Sequence, residues 1–148
     1  MNDHGRRIVV DLGFEAAAGA TGRAIREEGF KALARVDVRD HFWRNLGHDF
    51  RQYFLIQAWS PDLAFEALKH DLDAGTVLAT TFAVYELADG ESAIVATPHF
   101  QSIAAEPEWR LNAPGLAAIA DEEGARVARV LARVQQAARN RKSAASAA

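Results

Sequence analysis

Residues 49–68 read DFRQYFLIQAWSPDLAFEAL, and the rhythm of the apolar positions changes halfway through. Tyr53, Leu55, Gln57 and Trp59 alternate with Phe54, Ile56 and Ala58, the period of a strand with two different faces. At Ser60-Pro61 the spacing turns helical, with Phe65, Leu68 and Leu72 on one face. Proline suits a first helical position, where its missing N–H leaves nothing unpaired, and the Ser60 hydroxyl is expected to accept an orphan amide hydrogen. A strand over residues 51–59 therefore runs directly into a helix, with Gly75 closing the segment.

Toward the N-terminus, Arg7–Leu12 (RIVVDL) is short and β-branched, a first strand. Phe14, Ala17, Ala18, Thr21 and Ile25 then keep helical spacing, with Glu15 in the first turn and Gly29 at the C′ position. Gly19 and Gly22 each cost that helix about 1 kcal/mol against alanine, which close packing on a sheet would explain. Ala32, Ala34, Val36 and Val38 alternate with Leu33, Arg35 and Asp37 as a second strand. Asp37 can cap a short helix containing Phe42, Trp43 and Leu46 and ended by Gly47.

Toward the C-terminus, residues 76–87 form a β-rich run, and Asp89-Gly90 separates it from a second run at Ser92–Thr97, a hairpin signal. Residues 98–114 show no clear period and read as a loop with at most a helical turn. In the final helix Leu116, Ile119, Ala120, Val127, Val130, Leu131 and Val134 line one face and arginines occupy the other. The order β-α-β-(short α)-β-α-β-β-α suits an α+β fold, a single antiparallel sheet covered by helices. No phosphate-cradling glycine motif follows any strand. Residues 1–142 read as one domain and 143–148, with nothing to bury, as a disordered tail.

With 148 residues, 49% hydrophobic and 25% charged, the chain has the size and mix of one globular domain. Zero cysteines exclude disulfides, thiolate nucleophiles and cysteine-ligated metals, and fit a reducing compartment. No apolar run approaches the roughly 18 residues of a membrane helix, and no basic-then-apolar leader opens the chain. A soluble, cytoplasmic protein with no membrane partner is the expectation. A net charge of −3 argues against a nucleic-acid partner. The cations Arg126, Arg129, Arg133, Arg139, Arg141 and Lys142 read as a solvated helix face.

The ordered set Gly29-Phe30, Leu46-Gly47, Phe50, Tyr53, Pro61, Ala64, Leu68, Asp71 and Gly75 resembles the family catalogued as domain of unknown function 302, also called TT1751-like. The likeness runs from about Phe14 to Val134. It implies a compact α+β fold similar to the TATA-binding-protein-like class, and no activity, because the family has none established. Fold likeness to a DNA-binding class carries no DNA-binding inference. Family members commonly read Cys-Asn-Pro where this chain has Trp59-Ser60-Pro61, and Pro-Cys-Asn where it has Ala79-Thr80-Thr81. Both sulfur positions are therefore lost, and Trp59 is expected to fill space that Thr80 vacates.

Among candidate sites, His41 and His48 are separated by the helix-ending Gly47, and His70 sits near a helix end as a solvated cation. No paired-histidine metal motif occurs, so no metal site and no cofactor are expected. Asp121, Glu122 and Glu123 are consecutive and read as a solvated helix start, not a carboxylate pair. Ser60, Ser92 and Ser102 lack a nucleophile context, so no catalytic residue is assigned. The best signal is aromatic. Tyr53 and Trp59 share a strand face and, with Thr80 and His99, are expected to line a sheet–helix pocket for a small molecule. Trp109 reads as an exposed lid or interface residue. The alternative is a homodimer joined through a sheet face or edge; the weakest is an enzyme or metal protein using His99.

Overall fold

A computed structural model describes residues 6–97, 100 and 115–147. Its centre is the pairing expected from the alternating runs. Strand β3 (Tyr53–Trp59) lies antiparallel to β4 (Thr80–Glu86), with Ala58 opposite Thr80 and Ile56 opposite Phe82. β4 turns back into β5 (Ser92–Thr97) through residues 87–91, whose tip Ala88–Gly90 is a 3-10 turn in which Asp89 and Gly90 take φ values of 66° and 78°. Asparagine, aspartate and glycine tolerate this left-handed region, which is why Asp-Gly marks the turn. β1 (Arg6–Val10) pairs with β5, and β2 (Lys31–Asp37) with β3, closing an open antiparallel sheet of order β1-β5-β4-β3-β2.

Two helices cover one face. α1 (Phe14–Glu27) and α4 (Gly115–Ala147) bury Phe14, Ala17, Ile25, Val127, Val130 and Val134 against Ile56, Ala58, Phe82, Val84, Ile94 and Ala96. Phe30, just past the left-handed Gly29 (φ 85°), is 1% exposed and meets Phe82 edge-on with ring centroids 5.9 Å apart. A second cluster gathers Ala64 and Ala67 of α3 (Pro61–His70) with Leu78, Phe100, Leu116 and Ala120. The other sheet face shows Val9 and, on the edge strand, Val36 as exposed apolar residues. Next to it, α2 (Val38–Leu46) has no buried residue and leaves Trp43 and Leu46 about three-fifths exposed.

Several details depart from the expectations. Pro61 opens α3 as expected, yet the Ser60 hydroxyl makes no capping bond; it is buried and unpartnered. The carboxylates of Asp37 and Asp71 do accept amide hydrogens, from Asp40 (3.0 Å) and Asp73 (2.9 Å). Asp71 opens a 3-10 turn over Leu72–Thr76, so the β-run expected at 76–87 shortens to 80–86. A Cβ on Gly19 would meet nothing within 4 Å, and one on Gly22 only the Arg26 guanidinium at 3.5 Å. Close packing on the sheet is therefore not what these glycines serve. Residues 143–147, expected to be disordered, continue α4 as exposed helical turns, and their alanines are the best helix formers. Residues 98–99 and 101–114, with the expected loop, lie outside the described residues.

Candidate functional site

Of the four residues expected to line a pocket, Tyr53 stands at the opposite end of β3 from Trp59 and on the other sheet face from Thr80, and His99 lies outside the described residues. Tyr53 stacks on Tyr85 at the start of β3, ring centroids 5.1 Å apart and planes 6° from parallel. Burial and the neighbouring phenol both push the Tyr53 hydroxyl pKa up. Trp59 stands at the other end of β3 and packs on the second cluster, which contains Ala64 and Leu116. Thr80 is fully buried under the helices, on the face opposite Tyr53 by strand alternation. His99 and Trp109 lie outside the described residues.

Thr80 has a different partner. Its hydroxyl donates a 2.5 Å hydrogen bond to Oε1 of Glu123 on α4, and Glu123 is only 4% exposed. The other carboxyl oxygen, Oε2, is buried without a partner, as is Ser60 Oγ. Burial pushes the Glu123 carboxyl up to about 7, and the Thr80 hydrogen bond offsets only part of that. The place of Glu123 directly after Asp121 and Glu122 suggests a solvated side chain instead. Helical spacing was the better guide, since 116, 120, 123 and 127 fall on the apolar face.

The arginines of α4 are not a free basic face. Arg126 clamps Asp62 at the start of α3 with two bonds of 2.9 Å and reaches Glu122 at 3.1 Å. Arg129 binds Glu28 (2.8 Å) and Glu122 (3.3 Å), while Arg133 binds Glu28 (2.6 Å) and Glu27 (2.9 Å). The hydrogen-bonded Arg126 holds the Asp62 carboxyl below its usual range. For Glu28, burial alone would raise the pKa, but two guanidiniums outweigh it and the net shift is downward. This ridge ties α1 and α3 to α4.

Across the same end of α1 the arrangement reverses. A cleft of about 210 Å³ opens between α1 and the edge strand β2. Its apolar lining comes from Ala18, Ile25, Phe30 and Ile56, and Gly22 leaves the wall low. Arg26, Lys31 and Arg35 stand at its border and make no ion pair with any described carboxylate. Arg35 instead lies over the Phe54 ring, 4.0 Å from its centroid. β2 is exposed along its whole length and changes register between Ala32 and Ala34, so the cleft lies under a bulged, charged edge. No sequence motif announces this site: the cations are spread over ten positions and two elements. Among the described residues no group of three or more histidine, aspartate or glutamate side chains is placed to hold a metal. No described helix is long and apolar enough to cross a membrane.

No curated protein matches the chain. Among solved structures, the crystal structure of an uncharacterized conserved protein, DUF302, from Bacillus stearothermophilus superimposes with a TM-score of 0.74. The two are 22% identical, and the match covers 90% of this chain and 99% of that one. At that identity the likeness establishes the fold alone, one antiparallel sheet with helices in an α+β arrangement. The family model for the domain of unknown function DUF302 matches residues 7–134, nearly the whole sheet and most of α4. The chain belongs to the DUF302 family.

Proposed function

We propose that this protein is a small cytoplasmic binding protein that holds a small molecule in the cleft between α1 and β2 and has no reaction of its own. One observation carries the reading: an apolar hollow floored by Phe30 and Ile56 is bordered by cations that no described carboxylate neutralises. Ligand sites combine an apolar lining with a few convergent polar groups in this way. Among the expected ligand residues, Tyr53 stacks on Tyr85 and Thr80 is bonded to Glu123, so we assign the site instead to the α1–β2 cleft, whose Lys31 lies opposite Trp59 in the sheet. Nucleic acid is not a proposed partner, because the net charge is −3 and the ridge arginines are taken up by carboxylates. A metabolite-library thermal-shift screen tests the reading. Hits should raise Tm by several degrees in the wild type, since a ligand at about 100 times its Kd adds about 2.7 kcal/mol. They should vanish in Gly22→Leu, which fills the cleft mouth. No hits, or hits indifferent to that substitution, would sink the reading.

A second reading rests on the uncovered side of the sheet. Val9 and Val36, on its two edge strands, and Trp43, Leu46 and Phe50 are each at least 40% exposed. A homodimer through this face would cover it. Sedimentation showing a monomer at high micromolar concentration would remove that reading.

A further inference from the structure

Resting on the cleft as the binding site, we propose that it selects a compact anion with an apolar body, namely a carboxylate carrying one ring or a short chain. Charge sets the class. Arg26, Lys31 and Arg35 contribute three positive groups at the border of one hollow, in a chain whose overall charge is −3. The nearest carboxylates along α1, Glu27 and Glu28, are turned to Arg129 and Arg133 and so cannot compensate them. A cation or zwitterion would meet repulsion there, and a neutral ligand would leave the guanidinium forks unused. Arg26 and Arg35 can each offer parallel N–H donors to a carboxylate.

The floor sets the body. Ala18, Ile25, Phe30 and Ile56 carry no polar side-chain atom, so an inorganic anion would lie on apolar surface that it cannot exploit. The volume sets the size. At about 210 Å³ the cleft falls below the roughly 300 Å³ at the small end of ligand sites, which leaves room for a single ring or a short chain. Gly22 keeps the entrance open: a Cβ there would touch the Arg26 Nη1 at 3.5 Å, and a longer side chain would separate that guanidinium from the floor.

Benzoate, benzamide and inorganic phosphate test the proposal as matched probes, read through the methyl signals of Ile25 and Ile56 in the full-length protein. Benzoate should shift both methyls and bind roughly tenfold tighter than benzamide, the scale that three partly exposed charge contacts supply together. Phosphate should leave the methyls unmoved, and added salt should erode the benzoate preference. In R26Q/K31Q/R35Q, benzoate and benzamide should bind alike. Lys31→Gln alone should lose part of the preference, and well-dispersed methyl signals confirm that each variant is folded. Equal binding of benzamide and benzoate by the wild type would overturn the anion selectivity and leave the cleft reading standing. No methyl response to either ring compound would overturn the proposal, and an empty metabolite screen beside it would take the cleft reading as well.

Discussion

Two sets of cations meet at the C-terminal end of α1 and are treated in opposite ways. On the α4 side, Arg126, Arg129 and Arg133 are locked to Asp62, Glu122, Glu27 and Glu28 at 2.6–3.3 Å. On the β2 side, Arg26, Lys31 and Arg35 face the mouth of an apolar cleft with no described carboxylate as counter-ion. The first set joins helices; in the second, the only contact beyond the cleft described for these cations is that of Arg35 with the Phe54 ring. An unpaired charge at the surface costs little because water solvates it, so the second set can persist without a structural reward. Inside the protein the same lack is expensive, and Glu123 shows it: buried with no described cation beside it, its carboxyl is pushed up to about 7.

The largest effect expected from this contrast concerns Glu123. Its folded pKa lies above the ordinary 4.5, so the folded state holds the proton more tightly than the unfolded state. The contribution is therefore fully present below pH 4.5 and is lost as pH rises toward about 7, a change on the order of 3 kcal/mol. Urea denaturation between pH 4.5 and 8 should show the decline in the wild type and a flatter profile in Glu123→Gln, which stays neutral. Identical profiles would mean that Glu123 ionises freely and is not buried as described.

Glu28 supplies the opposite sign at a smaller scale. Its folded pKa is depressed, so its contribution is present above the ordinary carboxylate range and lost as pH falls through the folded value. Glu28→Gln should cost about 1–2 kcal/mol at neutral pH, because it removes the shared acceptor of two guanidiniums. Arg26→Gln should change stability by no more than about 0.5 kcal/mol, the range of ordinary surface substitutions. Comparable losses in the two variants, read from urea midpoints, would erase the distinction between ridge and cleft.

The smallest effect belongs to Gly19, where an added Cβ meets nothing within 4 Å. Gly19→Ala should stabilise the protein by up to about 1 kcal/mol through helix propensity alone. A loss of stability, seen as a lowered Tm, would show that α1 sits closer to its neighbours than the structure places it.

Much of this architecture is legible in the chain because local signals and tertiary packing agree. The alternation through residues 53–59, the proline at 61, the Asp-Gly turn and the apolar stripe of α4 all predict the elements found. The site is less legible. Tyr53 and Thr80 belong to strands read correctly, but their faces follow from which side the helices cover, and no local period records that. Ser60 has the residue type of a cap and does not cap, since its side chain is drawn into the buried layer. Glu123 was hidden by two acidic neighbours that point elsewhere on the same helix. The cleft lies between α1 and the exposed, bulged edge strand β2, a property of assembly that Arg26, Lys31 and Arg35 do not announce individually.

The claim at the centre is that Arg26 and Lys31, at the border of the cleft, hold no part of the fold together. Low-salt urea denaturation of the double variant Arg26→Gln/Lys31→Gln measures this directly, without any ligand. The account predicts a midpoint equal to or above that of the wild type, because two like charges lacking partners are removed. A loss of more than about 1 kcal/mol would contradict it, since surface changes away from structural partners stay within about 0.5 kcal/mol.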